Sequence, residues 1–175
     1  MSAERIILIR AVNVGGAKLP MARLRDIATD LGATEVSTYI ASSNLLCTPS
    51  GDPGEFDHAL EQAIADEFGY YREVVSRSPA EVEAALVAYP FGDAAHGHLH
   101  FLTGVPDSTA AQNFCERDHG GGERLAVIGR DLHIDYPDGA GRTKLTAARI
   151  ARGLGVTGTG RNLRTSATLV ERARG

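Results

Sequence analysis

Short apolar runs alternate with amphipathic stretches along this chain, and the alternation predicts the order of its elements. Ile6-Ile7-Leu8-Ile9 is continuous and rich in β-branched residues, the pattern of a strand covered on at least one face. If Ile7, Ile9 and Ala11 face a helical layer, then Ile6, Leu8, Arg10 and Val12 face the other side, where the Arg10 guanidinium needs a partner or a ligand. A loop containing Asn13, Gly15 and Gly16 leads to Pro20, which suits the first turn of a helix. Met21, Leu24, Ile27, Ala28 and Leu31 recur there at helical spacing, and Gly32 stops it. Residues 36–41 and 44–48 read as two strands joined through Ser42, Ser43 and Asn44. A second helix carries Phe56, Leu60, Ile64 and Phe68 on one stripe and ends at Gly69, after which residues 72–76 read as a strand. The order β-α-β-β-α-β predicts a ferredoxin-like subdomain over residues 1–78, with four antiparallel strands and two helices on one face.

That topology brings three segments to one end of the sheet: the end of the first strand, the start of the first helix and the turn between the second and third strands. Arg10, Asn13, Gly15, Gly16 and Asn44 are therefore expected to be neighbours and form one candidate surface.

Residues 79–175 read as a second α+β subdomain, packed with the first as one globular unit. Ser78-Pro79 caps a helix carrying Val82, Ala85, Leu86 and Tyr89, which Pro90 ends. A strand over 98–103, a helix over 107–117, and two strands over 124–128 and 132–136 follow, with Gly129-Arg130-Asp131 as their turn. Helices over about 143–154 and 163–172 close the chain. The predicted order, β-α-β-β-α-α, echoes the first half without its fourth strand.

Hydrophobic residues make up 43% and charged residues 23% of the 175 positions, as in a globular protein with no long disordered tail. Cys47 and Cys115 are too few for a disulfide framework and sit among apolar residues, so a cytoplasmic location is expected. No run is apolar and long enough for a membrane span, and the N-terminus does not read as a signal peptide. The formal charge of -4 conceals an asymmetry: residues 1–141 hold 10 Lys+Arg against 21 Asp+Glu, and residues 142–175 hold 8 against 1. A basic end on an acidic body either meets an anionic partner or docks on the protein's own acidic face.

Candidate chemistry concentrates in that basic end. Gly139-Ala140-Gly141-Arg142-Thr143-Lys144 has glycines, a hydroxyl and cations at the expected start of a helix, where backbone N–H groups can hold an anion. It is not the nucleoside-triphosphate loop pattern, because its glycines are too close and Thr precedes Lys. The alternative is a turn with Thr143 as helix cap. Thr159, Arg161 and Asn162 form a second polar group, in which Arg161 suits a phosphate or carboxylate. Its alternative is an interface ion pair for Arg161 and a cap of the last helix for Asn162. His98 and His100 alternate on a strand, and with His133 and Asp135 on a neighbouring strand they have the residue types of a transition-metal site. Spacing alone does not make a site, so no metal and no cofactor is assigned. No Gly-x-Ser-x-Gly elbow or His-Glu-x-x-His helix is present, and no cysteine has an obvious histidine partner, so no catalytic residue is assigned.

Several motifs together carry a resemblance. They are Leu8-Ile9-Arg10-Ala11-Val12-Asn13-Val14-Gly15-Gly16, Pro20-Met21-Ala22-Arg23-Leu24, and Thr38-Tyr39-Ile40-Ala41-Ser42-Ser43-Asn44. Near the C-terminus they are Gly141-Arg142-Thr143-Lys144-Leu145 and Gly158-Thr159-Gly160-Arg161-Asn162. In these the chain resembles the uncharacterised bacterial family called domain of unknown function 1697. The resemblance implies two α+β subdomains, the first ferredoxin-like, and no established activity, substrate or cofactor. This chain has Ala11 and Ser43 where the family usually has glycine, and Leu163 where an aromatic commonly follows the Arg-Asn pair.

The expected function is binding of a small anionic, phosphate- or nucleotide-like ligand at the subdomain interface. Arg10, Asn13, Gly15, Gly16 and Asn44 would serve from one side and Arg142, Lys144, Thr159, Arg161 and Asn162 from the other. Two alternatives are nucleic-acid binding through the basic C-terminal segment and a hydrolase or transferase acting on a phosphorylated substrate. Against the first stand the acidic body and the lack of aromatic residues on the sheet, and the second lacks a visible base.

Overall fold

Caps and breakers set the helix boundaries. In the computed structural model, which describes residues 2–10, 18–40, 44–92 and 95–175, Asp52 accepts the N–H of Glu55 at 2.9 Å to start a helix that Gly69 ends at φ 73°. Ser78 and Glu81 form a reciprocal capping box: the Ser78 hydroxyl accepts the Glu81 N–H at 3.1 Å, and the Glu81 carboxylate accepts the Ser78 N–H at 2.7 Å.

The elements are β1 (Arg5–Ile9), α1 (Met21–Asp30), β2 (Thr34–Thr38), β3 (Asn44–Thr48), α2 (Pro53–Phe68), β4 (Val74–Arg77) and α3 (Pro79–Ala88). They continue with β5 (Gly97–Leu102), α4 (Ser108–Glu116), β6 (Arg124–Ile128), β7 (Asp131–Asp135), a 3-10 turn (Ala140–Arg142), α5 (Ala147–Leu154), β8 (Gly158–Asn162) and α6 (Leu163–Arg174). The chain divides into two units, Met1–Glu83 with Thr168–Gly175, and Ala84–Ala167.

In the first unit the strand order is β2-β3-β1-β4, all antiparallel, as a ferredoxin-like sheet requires. The register sets Ile7 beside Leu45 and Ile9 beside Val74, so these residues share a face. That face buries Leu24, Ile27, Leu60 and Ile64 from α1 and α2. Ile7 and Ile9 thus face the helical layer, and Arg10 emerges from the strand on the opposite face from Ile9. The end of α6 belongs to this unit: the Ala3 N–H donates to the Ala173 carbonyl at 2.7 Å, and Leu169, Val170 and Ala173 are buried.

The second unit departs from the predicted order. Gly158–Asn162 is a strand, not a loop, and its sheet runs β6-β7-β5-β8. The unit is therefore β-α-β-β-α-β, the same topology as the first, with β8 standing between the two helices expected to be consecutive. β8 has no apolar residue to announce it, and its glycines explain why. A Cβ at Gly158 would overlap the Phe101 carbonyl oxygen and lie 3.0 Å from the His100 ring, and one at Gly160 would lie 3.2 Å from that ring. The strand is thinned on one face to seat His100. On the helical side of this sheet, Leu132 and Ile134 pack with Phe114 of α4 and with Ile150 and Leu154 of α5.

Candidate functional site

The first candidate surface is partly described. Asn44 lies beside Leu8 in the register, on the same face as Arg10 and at the same end of the sheet. Asn44 is buried and its amide donates to the Tyr39 carbonyl at 3.0 Å. Arg10 pairs with Glu73 at 3.4 Å. Asn13, Gly15 and Gly16 lie outside the described residues.

Around the 3-10 turn, three backbone N–H groups are already used. Those of Gly139, Arg142 and Thr143 donate to the carbonyls of Tyr136, Gly139 and Ala140. The Thr143 hydroxyl donates to Glu123 at 2.6 Å, which holds that carboxyl below its ordinary range. Helix α5 begins later than predicted and its cap is Thr146, whose hydroxyl accepts the Arg149 N–H at 3.2 Å. Arg142 and Lys144 are exposed, and the hollow beside Arg142 is only about 30 Å³. That volume is roughly the space of one water molecule.

On β8, Arg161 donates to the Thr159 hydroxyl at 2.7 Å and to the Gly160 carbonyl at 2.8 Å. Burial lowers its guanidinium to a pKa of about 10. Asn162 caps α6, its side-chain oxygen accepting the Thr165 N–H at 2.7 Å. Thr159 and Arg161 share the face that carries Phe101 and Leu99.

The histidines do not gather. His133 pairs with Leu99, so it points to the opposite face from His98 and His100. His98 packs edge-on against Tyr136, and Asp135 is bound to Arg124 at 2.9 Å. Among the described residues no three His, Cys, Asp or Glu side chains come together as a metal-binding group.

Part of the basic end is docked on the protein itself. Arg172 lies over the Tyr39 ring at 4.4 Å, and Arg174 meets the Glu83 carboxylate through two nitrogens at 2.6 and 3.0 Å.

A further cationic group lies in the second unit, between the end of α4 and α5. A groove of about 470 Å³ is lined by Phe114, Arg117, Asp118, His119, Arg149, Arg152 and Gly153. Arg149 and Arg152 are three apart on α5 and so project on one side of it. All three guanidiniums are exposed, and among the described residues none has a side-chain hydrogen bond or ion pair. Asp118 is turned to the backbone, accepting the Gly120 N–H at 2.8 Å. The His119 ring packs at a tilt against Phe114, 4.5 Å between centroids, and its Nε2 donates to the Phe114 carbonyl at 2.8 Å. None of these residues is among the candidates that the sequence alone singles out. Arg149 and Arg152 carry a signal, a pair of cations on one helix face, but only the packing of α4 on α5 brings Arg117 and His119 to them.

Residues 2–133 match the profile of a family described as protein of unknown function, DUF1697. The chain belongs to this family. The matched stretch takes in β1 to β6 and the start of β7, and stops before Arg142, Lys144, the whole of β8 and α6. Among solved structures, the family member resembles the conserved bacterial protein SP0830 from Streptococcus pneumoniae, at 22% identity and a TM-score of 0.76, over 99% of this chain and 100% of that one. At that identity the likeness speaks for the fold alone. No curated protein matches the chain. No helix among the described residues is long and apolar enough to cross a membrane.

Proposed function

We propose that this protein binds a small phosphate-bearing ligand in the groove between α4 and α5. The observation that carries the reading is the convergence of Arg117, Arg149 and Arg152 on one groove with no carboxylate neutralising them among the described residues. Three like charges lining one groove repel one another, and an oxyanion relieves that repulsion while accepting charge-assisted hydrogen bonds from the planar guanidinium forks. The groove's volume lies in the range of small-molecule sites, roughly 300–1,000 Å³. A duplex nucleic acid asks for a longer track of cations, on the order of six to ten phosphate contacts. Here Arg172 and Arg174, which would extend such a track in sequence, are engaged with Tyr39 and Glu83. Arg142 and Lys144 add exposed positive charge to the same unit. The free thiols of Cys47 and Cys115 suit a reducing cytoplasm.

The test is a titration at fixed ionic strength with inorganic phosphate, nucleotides, sugar phosphates and a short oligonucleotide. It is run on the wild type, an Arg149→Ala/Arg152→Ala double variant, and Arg161→Ala. A selective response that weakens about tenfold or more in the double variant and persists in Arg161→Ala places the ligand in the groove. Equal responses in wild type and double variant, or none, overturn the reading. A response confined to the oligonucleotide and falling steeply with salt would instead favour nucleic acid.

A further inference from the structure

Resting on that reading, we infer that His119 makes the groove a proton-linked anion site, in which the ligand and a proton bind together. The tautomer of the ring decides the point. His119 Nε2 lies 2.8 Å from the Phe114 carbonyl oxygen, which can only accept, so the neutral ring must carry its proton on Nε2. Its other nitrogen, Nδ1, is then a bare lone pair, and among the described residues it has no hydrogen-bond partner. A lone pair repels an oxyanion. Protonation turns the same atom into a donor without disturbing the bond to Phe114, and adds a fourth positive charge to the groove.

The charges around the ring make the two events depend on each other. Arg117 beyond the end of α4 and Arg149 and Arg152 on α5 line the groove together with His119, and like charges in one groove repel. Asp118 lines the same groove, and the Glu123 carboxyl interacts with the ring. A dianion seated among the arginines offsets most of their repulsion and adds an attraction of its own for the protonated ring. By linkage, whatever the anion adds to proton affinity the proton adds to anion affinity. Contact with Phe114 and the Nε2 bond also hold the ring in place, so Nδ1 needs no reorientation. The ligand class that benefits is a tetrahedral dianion, a terminal phosphate group above a carboxylate.

Sulfate is the probe, because it keeps both charges at every pH used and contributes no titration of its own. Its affinity for the full chain is measured between pH 8 and pH 5.5 for the wild type, His119→Gln and Arg149→Ala/Arg152→Ala. Glutamine keeps an N–H donor for the Phe114 carbonyl but does not titrate. Wild-type affinity is expected to rise about tenfold more than that of His119→Gln toward pH 5.5, the worth of one added charge-assisted bond. Calorimetry in two buffers of different ionisation heat should show proton uptake in the wild type and none in His119→Gln. If sulfate binds through the arginines but with the same pH dependence and proton count in both proteins, the role of His119 is overturned and the groove stands. If the wild type binds no sulfate at any pH, or the double variant binds it equally, both fall.

Discussion

Gly153 lies flat against the Phe114 ring, so close that a Cβ at this position would overlap it. The absence of a side chain lets α5 settle on α4 and forms the floor of the groove between their arginines. Substitution at this point crowds a buried aromatic that is itself locked by His119.

Gly153→Ala should therefore destabilise the protein by about 1–3 kcal/mol, the usual cost of overpacking a filled core, and weaken phosphate binding by moving Arg152 away from Arg117. Urea unfolding and a phosphate titration read the two effects. A variant as stable as the wild type would show that the Phe114 ring moves aside without cost.

The contrast between Gly153 and Gly158 shows what a sequence can and cannot convey. Leu24, Ile27 and Ala28, or Phe56, Leu60 and Ile64, mark buried helix faces because the apolar effect acts through each residue's own side chain, and these elements are legible. So are Gly32 and Gly69 as helix ends, through the left-handed backbone they supply. Gly158 and Gly160 make room for the Phe101 carbonyl and the His100 ring, about sixty positions away, and nothing local distinguishes a strand thinned for distant neighbours from a phosphate loop. Thr159 and Arg161 read as candidate chemistry for the same reason, a loop-like composition. The groove is illegible in a different way: Arg117 and Arg149 are ordinary exposed cations until α4 and α5 pack.

Asp57 offers a test by pH. Its carboxyl is pushed up to about 6, chiefly by burial, against the 2.5 Å hydrogen bond it accepts from Ser76, which lowers it. Because the folded pKa lies above the unfolded value of about 3.9, the native state holds this proton more tightly. The resulting stability is complete below about pH 4 and lost as pH rises through 6. Asp57→Asn should thus gain about 1–3 kcal/mol relative to the wild type between pH 4 and pH 7.5, read by denaturant unfolding across that range. A constant difference at all pH values would mean that the carboxyl is already solvated.

Asn162 separates a capping role from a binding one. Loss of its bond to the Thr165 N–H in Asn162→Ala should cost about 1 kcal/mol of stability, as helix caps do. Phosphate affinity should stay within a factor of about two, since the groove is built without it. An unchanged stability with lost affinity would return β8 to the centre of the ligand question.

The last helix gives the chain an order of assembly. Thr168–Gly175 belongs with Met1–Glu83, and Ala173 and Arg172 hold Ala3 and Tyr39, yet residues 84–167 are synthesised in between. The nascent first unit emerges from the ribosome missing a part of itself, and it can be sealed only after the second unit has been made. A folding domain usually closes behind the ribosome as it emerges. Here the part made first is the part finished last, and the first unit stays incomplete until residues 168–175 have been made.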